Sequence, residues 1–165
     1  MIPYKRHTLS NGLTVAVNRD RQSKLAAVNI LYKVGARNEN PARTGFAHLF
    51  EHLMFRGTRR IPNFDLPVQM ACGDNNAFTN NDYTDFYITL PKDNIETALW
   101  LEADRMTGLD ISPEALETEK RVVIEEYKQR YLNQPYGDQG MLLRSLAYTL
   151  HPYRWATIGL TPDHV

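Results

Sequence analysis

Two histidines and a glutamate, His48, Glu51 and His52, stand close together in the apolar stretch Thr44-Gly45-Phe46-Ala47-His48-Leu49-Phe50-Glu51-His52-Leu53-Met54-Phe55-Arg56-Gly57. At ~100° per residue a helix places all three within one arc of roughly 100°, and Phe46, Leu49, Phe50, Leu53 and Met54 take most of the remaining circumference. Such a helix is expected to be buried, because a solvated polar face is normally wider and rich in Lys, Glu or Gln. Buried imidazoles and a buried carboxylate need compensation. Imidazoles at i and i+4 lie one helical turn apart and can share a metal ion. A carboxylate at i+3 can point past that ion and take a proton from its water. The bland reading is a pair of satisfied core histidines, but three groups at ligand spacing on one narrow face favour metal.

Two histidines need a third protein ligand to make a catalytic zinc site. A helix opening at Ser112-Pro113, with Ser as N-cap and Pro at the first helical position, is predicted to run to about Leu132. Its apolar arc, traced by Leu116, Val122, Val123 and Tyr127, also contains Glu119 and Glu126, whereas Glu117 and Glu125 fall outside it near Arg121 and Lys128. A carboxylate within an apolar face requires a partner. Spacing alone leaves open which of Glu119 and Glu126 meets a metal and which stands behind it. It also leaves open the alternative that both pair with arginines at a packed interface.

The remaining elements form the frame. The 165 residues are one domain's worth and long enough for a sizeable core. Lys plus Arg equals Asp plus Glu at 19 each, which leaves no footprint for nucleic acid or an anionic membrane surface. Arg56, Arg59 and Arg60 read as a solvated connection. Cys72 is the one cysteine, so neither an intrachain disulfide nor a thiolate cage is available. Met1 to His7 carries no apolar signal core and no run reaches membrane-span length, which favours the cytoplasm, or the periplasm if a signal has been removed.

A hairpin is predicted from Tyr4 to Asn18 about Ser10-Asn11-Gly12. Strands follow at 26–34 and 83–90, with Val28, Ile30, Tyr32 and Val34 on one face of the first and Phe86, Ile88 and Leu90 on one face of the second. Between them, Gly73 to Asp82 reads as turns from its Asn, Asp and Gly content. Helices are predicted at 64–72, at 94–107 with Ile95, Ala98, Leu99 and Met106 at helical spacing, and at 136–150 after Pro135. The fold class is α+β, an antiparallel sheet with helices packed on one face.

His48-x-x-Glu51-His52, with Glu126 further along in Arg121-Val122-Val123-Ile124-Glu125-Glu126, resembles the insulinase and pitrilysin family of zinc peptidases, which includes the mitochondrial processing peptidases and many bacterial relatives. The likeness extends along the chain through Leu9-Ser10-Asn11-Gly12-Leu13-Thr14-Val15, Val34-Gly35-Ala36-Arg37-Asn38-Glu39, Asn76-Ala77-Phe78-Thr79, Ala103-Asp104-Arg105-Met106 and His151-Pro152-Tyr153-Arg154. The resemblance implies a zinc endopeptidase that binds one Zn2+ per domain through His48, His52 and Glu126. It implies Glu51 as general base and Glu119 as a catalytic residue supporting the site from behind. It also implies that Asn76, Ala77 and Phe78 hold an extended peptide substrate by strand addition.

Family members are clamshells of two halves, so the resemblance implies that residues 1–165 are a single N-terminal peptidase domain, incomplete at its C-terminus. A second half or partner subunit is expected, and the chain alone is expected to hydrolyse weakly or not at all. Two other readings follow from the same motif. One is a non-catalytic partner subunit, against which Glu51 argues. The other is a metal-dependent lyase of the H-x-x-E-H type, in which Cys72 would complete the metal site. A purely structural polar cluster is the third alternative.

Overall fold

The computed structural model describes residues 2–165; Met1 lies outside them. The chain runs through a short hairpin of β1 (Lys5–Thr8) and β2 (Thr14–Val17), strand β3 (Leu25–Tyr32), and helices α1 (Phe46–Arg56) and α2 (Asp65–Met70). Strands β4 (Asp74–Thr79) and β5 (Thr84–Pro91) follow, then helices α3 (Ile95–Thr107), α4 (Pro113–Tyr127) and α5 (Gln139–Ala147). Among the described residues every strand pairing is antiparallel: β1 with β2 as a separate ribbon, and β3-β5-β4 as a three-stranded sheet. Among the described residues no helix is long and apolar enough to cross a membrane.

Because side chains alternate across a strand, one face of the sheet collects Val28, Phe86, Ile88 and Leu90, all buried. Val28, Ile88 and Leu90 pack with Phe64, Val68, Ala98 and Leu101 from α2, α3 and the connection before α2. Burial of each large side chain is worth about 1.5–3 kcal/mol. The opposite face carries exposed Leu31, Phe78 and Tyr87. The architecture is α+β with helices on one face of an antiparallel sheet, as the sequence pattern implies.

A second cluster joins α1 to α4. Leu49 and Leu53, one turn apart, pack with Val123 and Tyr127, also one turn apart, and with Ala156 and Ile158 from the C-terminal segment. That segment is tied back by the Trp155 indole N–H, which donates to the Ala36 carbonyl at 2.9 Å.

Four expectations change. Asp74–Thr79 is a strand rather than turns, because its six residues pair in register with β5 from Asp74↔Thr89 to Thr79↔Thr84. Helix α3 buries Leu101, Glu102, Asp104 and Arg105 with Ala98, and exposes Leu99 and Met106. There the Arg105 guanidinium is paired with Glu102 and lies 4.2 Å from the ring centroids of both Phe64 and Phe86, so aromatic faces and a carboxylate replace its water. Helix α5 begins only at Gln139, since Tyr136 adopts a left-handed φ of 61° that a continuing helix cannot use. Finally, α1 is buried on one side only: Phe50 is 45% exposed, and Phe46, Phe50 and Met54 line a cavity of about 530 Å3 with Tyr32 and Phe86.

The start of α1 is set by one glycine and by one carboxylate from outside the helix. Gly45 enters the helix at φ 95° and offers no capping side chain, so the Glu39 carboxylate accepts the N–H groups of Gly45 at 2.9 Å and Ala47 at 2.8 Å. A Cβ at Gly45 would meet the Ile158 carbonyl oxygen at 2.6 Å as well as an unfavourable φ. Gly45→Ala is expected to lower stability by about 2–3 kcal/mol. A urea midpoint equal to that of the unsubstituted chain would contradict this account of the helix start.

Candidate metal centre

The Leu49–Leu53 and Val123–Tyr127 ladders set the register of α1 on α4, and the polar groups follow from their neighbours in sequence. His48 and His52 sit beside the two leucines and meet Glu119 and Glu126 across the interface. His52 Nε2 lies 3.3 Å and His48 Nε2 3.7 Å from the same oxygen, Oε2 of Glu126. The two imidazoles stand edge to face with centroids 4.7 Å apart. His52 Nδ1 is 3.4 Å from Glu119 Oε2. Val122 is exposed at 46%, so the buried arc of α4 is narrower than its apolar residues imply, yet it still contains Glu119 and Glu126. Glu117 and Glu125 point outward to Lys120 and Lys128.

Among the described residues, one group of His, Cys, Asp or Glu side chains is close enough to hold a metal: His48, His52 and Glu126, with donor atoms all within 4.8 Å. A tetrahedral zinc with bonds of about 2.0–2.1 Å keeps its donors ~3.3–3.4 Å apart. The separations of both imidazole nitrogens from Glu126 Oε2 are close to that, and two neutral imidazoles with one carboxylate are a borderline-soft set suited to zinc. The residues fit the ion. Cys72 stands apart, exposed in the turn between α2 and β4 at φ 56°, which removes the geometric basis for a cysteine-completed site.

Glu51 faces the clefts on either side of this centre, lining both the 530 Å3 cavity and a second of about 400 Å3 with His52, Phe55, Arg56 and Glu119. Thr79 on β4 donates to Glu51 Oε2 at 2.5 Å. That bond places the β4 edge directly beside the carboxylate. In the order β3-β5-β4 this strand has one free edge, and there the Ala77 N–H is met by the side-chain oxygen of Asn76 at 2.8 Å. Asn76 and Phe78 are exposed and Ala77 is half-buried. The structure thus brings His48, His52, Glu119 and Glu126 together and sets the strand of Asn76, Ala77 and Phe78 alongside Glu51.

Three neighbours escaped the sequence. Thr79 is reachable only once β4 pairs with β5. Arg56 binds Glu119 Oε1 at 3.2 Å instead of belonging to a solvated connection, and Arg130 binds Glu126 Oε1 at 2.7 Å. Helical spacing carried a signal for both, since Arg56 follows His52 and Arg130 follows Glu126 by one turn. Arg130 lies on a π-helical turn, Lys128–Leu132, that continues α4 to the expected end.

The environment separates the titrations. Burial holds the His48 imidazole down at about 4, against the opposing pull of Glu126. His52 is raised by its hydrogen bond to Glu126, and the same bond lowers Glu126. Burial raises Glu51, opposed by the Thr79 hydroxyl.

An α+β domain that closes an H-x-x-E-H helix with a distal glutamate defines a class of metal-centre proteins. A model of the insulinase family, peptidase family M16, matches residues 14–154, and the chain belongs to that family. It is 36% identical over 159 residues to the zinc protease PqqE of Helicobacter pylori, covering 94% of this chain and 36% of that protein. It is 30% identical over 156 residues to the probable mitochondrial-processing peptidase subunit beta of Schizosaccharomyces pombe, covering 92% of this chain and 34% of that one. The crystal structure of a protease from Helicobacter pylori superimposes with a TM-score of 0.94 at 34% identity, over 99% of this chain and 40% of that chain. The chain spans about a third of the length of these curated relatives.

The pKa directions carry a test. A metal at His52 must displace its proton, which is held above the usual 6.5, whereas His48 stays neutral to about 4. Zinc affinity is therefore expected to fall as pH drops from above 6.5, with His52 as the competing site in an NMR titration. Affinity that stays level down to pH 4 would contradict the assignment.

Proposed function

We propose that this chain is the zinc-holding part of an endopeptidase that hydrolyses peptides bound in extended form. The observation that carries the proposal is the convergence of His48, His52 and Glu126 beside a half-buried carboxylate, Glu51, anchored at the strand edge by Thr79. His48, His52 and Glu126 hold the ion. Zinc in such a site supplies a Lewis acid and an acidified water.

Glu51 serves as the general base and then returns its proton to the leaving amine. Its raised pKa suits both roles, because the carboxylate becomes a stronger base while the protonated carboxyl remains a stronger acid than the ammonium that the leaving amine forms. The Thr79 hydroxyl holds one oxygen of Glu51 and so aims the other. Glu119 Oε2, 3.4 Å from His52 Nδ1, is placed to favour the proton on that nitrogen and so leave Nε2 to the metal. Burial keeps His48 neutral, the form in which an imidazole can be a ligand.

The free edge of β4 receives the substrate backbone. Asn76 Oδ1 now satisfies the Ala77 N–H, and a substrate carbonyl would take over that donor as the Asn76 side chain swings to the peptide. Phe78 adds an exposed aromatic surface along the same edge. Recognition through main-chain hydrogen bonds favours broad sequence tolerance. The relatives' greater length supports a second half or partner subunit that completes the substrate cleft, with weak hydrolysis by this chain alone.

The test compares metal content and peptide cleavage, using the longest chain that carries this domain. Glu51→Gln is expected to keep zinc and to lose about 10²–10⁴-fold in rate. Glu126→Gln is expected to lose zinc, and Cys72→Ser to change neither. Zinc retained in Glu126→Gln but lost in Cys72→Ser would sink the ligand set. A fully active Glu51→Gln would sink the base, and an inactive parent that holds zinc would favour the non-catalytic subunit.

A further inference from the structure

The two acids that α4 brings to the centre are shared in the same way. Glu119 gives Oε2 to His52 Nδ1 at 3.4 Å and Oε1 to Arg56 Nη1 at 3.2 Å. Glu126 gives Oε2 to the two imidazoles and Oε1 to Arg130 Nη2 at 2.7 Å. Each carboxylate is therefore turned by a guanidinium so that only one oxygen faces the histidines. We infer that Arg130 is a positioning residue that holds Glu126 in the one-oxygen orientation a metal requires, with Arg56 doing the same for the carboxylate behind His52. The inference rests on Glu126 being a metal ligand.

The geometry favours positioning over simple charge. A carboxylate free to rotate can offer a metal either oxygen or both, and each change alters coordination number and the place left for water. The Arg130 contact at 2.7 Å is in the range of charge-assisted hydrogen bonds and engages the oxygen that the imidazoles do not. Arg130 also follows Glu126 by one turn, so the pair needs no long-range closure. Arg56 belongs to α1 and Glu119 to α4, so that contact additionally locks the two helices at the height of His52.

The two explanations of Arg130 predict opposite signs. A cation beside a metal site repels a dication, so if charge were all that mattered, Arg130→Gln would tighten zinc binding. Positioning predicts that it loosens binding by about 10–100-fold, as removal of groups that orient metal ligands commonly does. The 165-residue chain, loaded with zinc in a chelator competition and separately with cobalt, provides both readouts. Arg130→Gln is expected to weaken zinc and to shift the cobalt absorption from four-coordinate toward weaker five-coordinate bands, and Arg130→Lys to recover part of the affinity.

Arg130 is exposed at the surface, so its replacement leaves the core untouched, and far-ultraviolet circular dichroism is expected to stay unchanged. Tighter or unchanged zinc binding with an unchanged cobalt spectrum in Arg130→Gln would overturn the inference while leaving the ligand set standing. Failure of the unsubstituted chain to bind zinc would overturn the ligand set, and this inference with it.

Discussion

Leu49 and Leu53 of α1 lie against Val123 and Tyr127 of α4, and this four-residue ladder decides where the polar groups of the centre meet. The leucines are 2% and 1% exposed and Val123 1%, so sliding either helix by a turn would bring water or a void to all of them. Apolar packing is non-directional, but at native density it has one register. The histidines are sequence neighbours of the leucines, and the two glutamates flank Val123 on α4. Fixing the ladder therefore fixes the cluster.

The cost of that arrangement is desolvation of charge, and its effects are visible in the titrating groups. Burial dominates at His48 and Glu51, pushing the imidazole down and the carboxyl up, and in both cases it favours the neutral form. At His52 and Glu126 a hydrogen bond dominates and favours the charged pair. One small site thus favours the neutral form of one imidazole by burial and the charged form of the other by contact. Arg56 and Arg130 offset the remaining negative charge at the rim, where water still reaches Arg130. The sheet contributes differently: its β4 edge comes to Glu51 through Thr79, so backbone pairing places the edge strand and one hydroxyl fastens it.

What was legible depended on periodicity. The H-x-x-E-H helix, the α4 arc holding Glu119 and Glu126, and the inward rows of β3 and β5 were readable because each repeats at the period of its element. The same rule misplaced α3, where apolar Leu99 and Met106 face water and Glu102 and Arg105 are buried. No periodicity announces that a guanidinium will be wedged between Phe64 and Phe86, since both rings come from distant segments. Composition misled at Asp74 to Thr79, where turn-forming residues make a strand once β5 supplies partners for their backbone groups. Arg56 looked solvated for the same reason: its carboxylate lies on another helix.

The sequence by itself determined the helix that bears two imidazoles and a carboxylate and the short list of acids able to join them, because those follow from spacing within single elements. The tertiary structure alone decided which oxygen of each acid faces which nitrogen, that β4 is an edge strand reaching Glu51 through Thr79, and that two arginines close the rim. Those are contacts between elements or between side-chain rotamers. They are set by how the α1–α4 interface and the sheet pack, and local sequence carries no record of the angle at which two helices meet.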